Sequence, residues 1–179
     1  TSEGDEGVWE GSLFVLSEAD LVLLEGYHSI TGTLLILDIG IPTSITNLDS
    51  LSSLTSISSI TNLDSLSSLT SIGGNLRISL DTLTDISGLS GLTSVGGLYI
   101  GSNSSLNSAA LSSLTSVEGD LQINWNRSLI NLDLGSLTSV GGNLVIDDTT
   151  ALVFLDLGSL TSVGVDLVFE NNTVLTDLG

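Results

Sequence analysis

The side chains able to do chemistry are few and scattered. The chain has one histidine, His28, in the corner sequence Tyr27-His28-Ser29-Ile30, and no aspartate recurs at a spacing that would hold it as a general base. A Ser-His-Asp set needs that third group, so His28 reads as an exposed corner residue. Carboxylates are plentiful, and two pairs fall one repeat apart: Asp133 with Asp156, and Asp147 with Glu170. Two acids at a fixed gap could serve a glycosidase, and an acid beside calcium could serve a polysaccharide lyase. Lyases of that kind draw on Lys or Arg, and this chain has no lysine and only Arg77 and Arg127. Stacked about 4.8 Å apart, two like charges repel by about 0.9 kcal/mol in water. A bound Ca2+ would relieve this, making Asp133, Asp156, Asp147 and Glu170 candidate weak calcium sites; the alternative is a solvated acidic face with its carboxylates splayed apart.

Two further groups deserve a place in the inventory. Asn103, Asn126 and Asn171 each open an N-x-S/T sequon, and in a secreted eukaryotic protein Asn126 and Asn171 would carry glycans along one side. The repeat itself also wants asparagine near this turn, where the side chain can bond to backbone. The second group is the row Phe14, Leu35, Arg77, Tyr99, Gln122, Val145 and Val168, with Trp125 beside it. Arg77, Tyr99, Gln122 and Trp125 are the candidate ligand-facing residues, because a flat sheet carrying exposed aromatics suits a sugar or a protein surface. The competing explanation is ordinary β-propensity on a solvent face. Ice binding, which solenoids can perform, is disfavoured because the row lacks a regular Thr-x-Thr array.

These residues are positioned by a repeat. The phrase Leu-Thr-Ser-Val/Ile, then Gly-Gly, then Leu-x-Ile recurs, with anchors Leu69, Leu92, Leu114, Leu137 and Leu160 separated by 23, 22, 23 and 23 residues. One residue is missing after Gly97. Within a unit, Leu137 and Val140 precede the turn at Gly141-Gly142, and Asn143 to Asp147 then alternates with the period of a strand. The inward positions align as Leu34 and Ile36, Leu76 and Ile78, Leu98 and Ile100, Leu121 and Ile123, Leu144 and Ile146, Leu167 and Phe169. A second short strand with a corner is expected at Asn131 to Leu137 and at Phe154 to Leu160. Glycine pairs, Ser and Thr at every turn exclude a helix. The expected fold is all-β: a right-handed parallel β-helix of about eight coils of roughly 23 residues, one solenoid domain over 1–179.

Composition agrees with stacked aliphatic ladders. Hydrophobic residues make up 41% of the chain and aromatics only 4%, so Leu, Ile and Val must fill the interior. Lys+Arg 2 against Asp+Glu 21 gives a net charge of −19. Nucleic acid is thereby excluded as a partner and an anionic membrane surface disfavoured. Cys 0 removes disulfides, thiolate metal sites and cysteine nucleophiles. No apolar run approaches the roughly 20 residues of a membrane-spanning helix, so no direct membrane insertion is expected.

Two places break the regularity. Ser44 to Ile57 is repeated letter for letter as Ser59 to Ile72, so residues 31–75 are expected to hold one or two irregular coils, with 76–179 regular. Near the start, Ser17-Glu18-Ala19-Asp20 before Leu21 has the form of a capping box, and 1–30 is expected to hold a short helix shielding the first coil. The start at Thr1 shows no signal peptide, so either a leader has been removed or the chain is a piece of something longer, and the sequence stops at Leu178-Gly179 in mid-repeat. More protein, another copy or a truncation is expected beyond that end.

The residues Tyr27, Ile30, Gly32, Leu34 and Ile36, then Leu114, Val117, Gly119, Leu121, Ile123 and Asn126, and Leu160, Val163, Leu167, Phe169 and Asn172 follow the pattern L-x-x-L-x-x-I-x-G-x-L-x-I-x-x-N-x-x-L. In this the chain resembles the receptor L-domain family, over nearly its whole length, and the microbial surface and fungal cell-wall proteins that carry such repeats. Leucine-rich repeats of the internalin sort are the nearest competitor, through Leu83 to Leu89. The resemblance implies a β-helix, secretion or surface display, and adhesive or structural duty without catalysis. The implied partner is a protein or carbohydrate surface, or the protein itself in a head-to-tail homopolymer. Receptor signalling is not carried over, since the cysteine-rich neighbours and disulfides of the animal receptors are absent.

Overall fold

The computed structural model describes residues 7–16, 18–37 and 63–179. The alternating stretches are short strands: β1 (Val8–Trp9), β2 (Leu13–Val15), β3 (Ser29–Ile30), β4 (Leu34–Leu37), β5 (Ser71–Ser79), β6 (Ser94–Gly101), β7 (Ser108–Ala110) and β8 (Ser116–Val117). They continue as β9 (Leu121–Asn124), β10 (Asn131–Asp133), β11 (Ser139–Val140), β12 (Leu144–Asp147), β13 (Phe154–Asp156), β14 (Ser162–Val163) and β15 (Leu167–Glu170). All pair in parallel, the second sheet being β7, β10 and β13 and the main sheet holding the rest.

The molecule is a parallel β-solenoid of about six turns. Its main sheet stacks Leu13, Leu34, Leu76, Leu98, Leu121, Leu144 and Leu167 as one ladder, with Val15, Ile36, Ile78, Ile100, Ile123, Ile146 and Phe169 as the next. From Leu34 to Leu144 these leucines are at most 2% exposed, each contributing about 1.5–3 kcal/mol by burial. Leu167 keeps the register over Leu144 but is 52% exposed, because no further rung covers it among the described residues.

The third side of the coil is a chain of i→i−3 turns made by the Leu-x-x-Leu spacing. Leu66 N–H donates to Leu63, Leu69 to Leu66, Leu89 to Ile86 and Leu137 to Leu134, with each apolar side chain turned inward. After the last of these turns in each coil from Leu69 to Leu160 comes a threonine, which locks one coil to the next. The N–H and the Oγ1 of Thr93 both donate to the carbonyl of Thr70, at 2.8 Å each, and Thr115, Thr138 and Thr161 repeat the arrangement. A hydroxyl is thus built into the ladder where a plain strand would have one bond per residue.

Two details differ from the sequence expectation. Dividing the length by 23 overestimates the turns, because Leu34 pairs directly with Leu76 across 42 residues of chain. Strand β4 is therefore hydrogen-bonded directly to β5, with no rung between them; the first tandem copy, at 44–57, lies outside the described residues. The helix α1 (Glu18–Val22) exists, but as part of the first coil and not as a shield over it. Leu24 donates to Leu21 and Tyr27 to Leu24, as Leu66 and Leu69 do in the next coil. Asp20 reaches back to accept the Leu16 N–H at 3.0 Å, while Ser17 lies outside the described residues.

Candidate functional site

The missing residue after Gly97 leaves a visible mark. Between β5 and β6, Ile72 faces Val95 but Asn75 faces Gly97, so Gly73 and Gly74 lie opposite Gly96 alone. The residue before each inward leucine is Thr33, Asn75, Asp120, Asn143 or Asp166 in the other coils; at Leu98 it is glycine. A row of polar side chains is therefore interrupted at one position. The gap is an open groove of about 320 Å3, lined by Thr33, Asn75, Gly97 and Asp120 from this row and by Leu35, Arg77, Tyr99 and Gln122 from the next.

Three of the four predicted ligand-facing residues meet here. Arg77, Tyr99 and Gln122 are cross-strand neighbours. The guanidinium carbon of Arg77 sits 3.9 Å from the centroid of the Tyr99 ring, a cation–π stack. The ring lies over Gly101, where a Cβ would stand 2.4 Å from the Tyr99 hydroxyl. Asp120 is held by its neighbours, its Oδ1 accepting the Asn143 backbone N–H at 2.7 Å and side-chain amide at 3.0 Å. Trp125 does not join them: it lies beyond the corner, 52% exposed and in the left-handed backbone region with φ 57°.

The sequence row missed Thr33, Asn75 and Asp120, which face the groove from its other side. The signal that could have found them is the same 22-residue spacing that marks Gly97.

The other candidates fare differently. Asn103 and Asn126 are fully buried, which overturns their assignment as glycan acceptors. Asn126 Oδ1 accepts the backbone and side-chain N–H groups of Asn103, and its Nδ2 donates to the Ile100 carbonyl at 2.8 Å. Asn103 Oδ1 in turn accepts the Leu80 N–H. These amides close the corner of the coil, since a buried carbonyl or N–H without a partner would be costly. Asn171 alone of the three is exposed, with its Nδ2 on Asp147 Oδ1 at 3.0 Å.

The carboxylate pairs are in register, Asp133 opposite Asp156 and Asp147 opposite Glu170. Asp133 and Asp156 each accept the N–H of the glycine two residues on, Gly135 and Gly158, at 3.0 Å, in an Asx turn that shapes the corner. No group of three His, Asp or Glu side chains converges on one point among the described residues, so neither pair gains a third carboxylate for Ca2+. Asp85 makes the same turn with Ser87, whose hydroxyl and N–H hold its carboxyl below the usual carboxylate range. Arg127 is held protonated by the hydrogen bond and charge of Asp148, its Nε 3.1 Å from Oδ2. His28 occupies the place of the ladder threonines: its carbonyl accepts from Thr70, its N–H donates to Gly7, and its side chain is exposed.

Among the described residues, no helix is long and apolar enough to cross a membrane. No family model, curated protein or solved structure matches the chain.

Proposed function

We propose that the chain is a non-enzymatic extracellular or cell-surface module, an adhesive or structural element whose solenoid presents a ligand-binding groove. The observation that carries this is the groove itself, which lies where the repeat shortens and where Arg77, Tyr99 and Gln122 converge. Elsewhere polar side chains of the repeat are occupied in holding coil to coil: Asp133 and Asp156 close Asx turns and Asp147 accepts from Asn171. The acidity keeps such a surface solvated, and the receptor L-domain-like pattern agrees with display outside the cell. A rigid solenoid suits adhesion because the groove stays preformed and little freedom is lost when a ligand docks.

The test is binding of the purified chain to a panel of immobilised polysaccharides and cell-surface extracts. It is set against a variant with one asparagine inserted between Gly97 and Leu98, which restores the 23-residue spacing. Binding by the native chain that is weakened about tenfold or more in the variant, with the melting temperature kept, supports the proposal. Equal binding by both removes the groove from it. Shortened polysaccharide chains that survive in the native protein and vanish in Asp147→Ala or Glu170→Ala would make it an enzyme instead.

A second reading, a head-to-tail subunit of an extracellular fibre, is favoured by one observation. Leu160, Val163, Leu167 and Phe169 form an apolar face partly open to solvent, and β15 has an unpaired edge among the described residues. Light scattering that finds dispersed monomers across wide ranges of concentration and salt would dispose of it.

A further inference from the structure

We propose that the groove beside Gly97 binds a carboxylate-bearing sugar, a uronic acid unit of a polysaccharide, and that Arg77 selects the carboxylate; this rests on the ligand-binding function proposed above. Arg77 is one of two arginines in a chain with 21 acids. The other, Arg127, is committed to Asp148. Arg77 is exposed, its guanidinium has no hydrogen-bond or ion-pair partner among the described residues, and it stacks on the Tyr99 ring.

The planar guanidinium carries five N–H donors in a rigid fork, and its contact with the Tyr99 ring restricts where that fork sits. That fork matches the two oxygens of a carboxylate. The stack is built from three positions. Leu35 flanks Arg77, Tyr99 follows it in the cross-strand row, and Gly101 leaves the space into which the Tyr99 ring lies down. The corresponding positions in later coils carry Asn124, Asp147 and Glu170, so the ring could not lie this way over any of them.

The rest of the lining suits hydroxyls. Thr33, Asn75 and Gln122 offer hydroxyl and amide groups, and Asp120 has committed Oδ1 to Asn143 while its Oδ2 faces the Gln122 amide only at 3.5 Å. Amides and a carboxylate around one aromatic ring are partners for a polyhydroxylated ligand. The volume, at the low end of the about 300–1,000 Å3 of small-molecule sites, fits a sugar unit of a chain that runs on outside the open groove. A uronate also brings ring hydroxyls to Thr33, Asn75, Gln122 and Asp120, which the side chains of an acidic peptide lack.

The two arginines make the test direct, since the Nε–Hε region of a nitrogen-labelled sample holds one resonance from each. The full chain is titrated with an α-1,4-linked galacturonate oligomer, with its methyl-esterified form, and with a glutamate-rich peptide. The expected result is a shift of the Arg77 resonance with the acid form and none at Arg127. The ester should bind about tenfold more weakly, and Arg77→Gln should reduce binding of the acid form to the level of the ester. Arg77→Lys, which keeps the charge and loses the fork, should fall between, and all variants should melt as the native chain does.

Equal affinity for acid and ester would overturn the assignment of Arg77 while leaving a sugar-binding module. Peptide binding as tight as the oligomer would overturn the choice of sugar. Absence of any shift with all three probes would overturn the proposal, and absence of binding to the whole polysaccharide and cell-surface panel would take the ligand-binding function with it.

Discussion

From Ser116 to Glu170 each coil repeats the last, strand on strand with Leu121, Leu144 and Leu167 in line. Between Leu34 and Leu98 the same ladder is kept by coils of different length, 42 residues and then 22, where 23 is the rule. The inward rows do not register the difference at all. Leu34, Leu76 and Leu98 are as buried as Leu121 and Leu144. What changes is the outside, where the shortened corner opens the groove. The interior constrains which residues stack, and the length of chain between them is free to vary with little cost.

The sharpest way to break that comparison is to damage the ladder. Leu121→Ala should destabilise the protein by about 2–5 kcal/mol, because the rungs on both sides prevent the cavity from closing. Urea unfolding would measure it, and a loss below about 1 kcal/mol would mean that the stack relaxes more freely than a packed core does. Next comes Asn126→Ala, which removes the acceptor of the Asn103 backbone N–H and the side-chain donor to the Ile100 carbonyl, and leaves the Asn103 amide only its bond to the Ile78 carbonyl. Its cost should be about 1–3 kcal/mol for each group left without a partner. A stability unchanged from the native chain would show that water replaces the amide at the corner.

Changes in chain length should matter far less. Deleting Ser44 to Ser58 removes one tandem copy and leaves Ser59 to Ile72, the copy whose Leu63, Leu66 and Leu69 are buried in the coil. Shortening the connection from 42 to 27 residues should stabilise the fold by only about 0.4 kcal/mol through loop closure. A loss of several kcal/mol would show that the deleted copy is part of the core. The smallest effect belongs to Asp85. Its folded pKa is depressed, chiefly by the Ser87 hydroxyl, so its contribution is present above the unfolded value and lost as pH falls through the folded one. The stability difference between the native chain and Asp85→Asn should therefore shrink as pH drops below about 4, and a difference independent of pH would assign no role to the charge.

Much of the fold was legible before any coordinates. Period-two alternation at Leu-x-Ile and a constant spacing are local facts, and for a solenoid the local pattern nearly determines the contacts, since each residue meets its own equivalent. The Asn corner was harder. A sequon and a buried ladder asparagine are spelled alike, and only the depth of Asn103 and Asn126 separates them. The tandem is irregular for a reason the residues show: the Gly-Gly-Asn-Leu-Arg-Ile that follows Ile72 does not follow Ile57. At Gly73 and Gly74 a Cβ would approach the backbone of Thr31 and Gly32 to 2.6 and 2.7 Å, so the stacking at this corner calls for glycine.

The amino-acid sequence by itself determined which side chains face inward and which coil follows which, because both depend on spacing along the chain. Only the tertiary structure decided what the exceptions do. Whether a missing residue shifts the register or opens a groove, and that Leu34 takes Leu76 as its partner, depends on which arrangement keeps the leucine ladder buried and its backbone paired, a competition between stacked neighbours that no single coil contains.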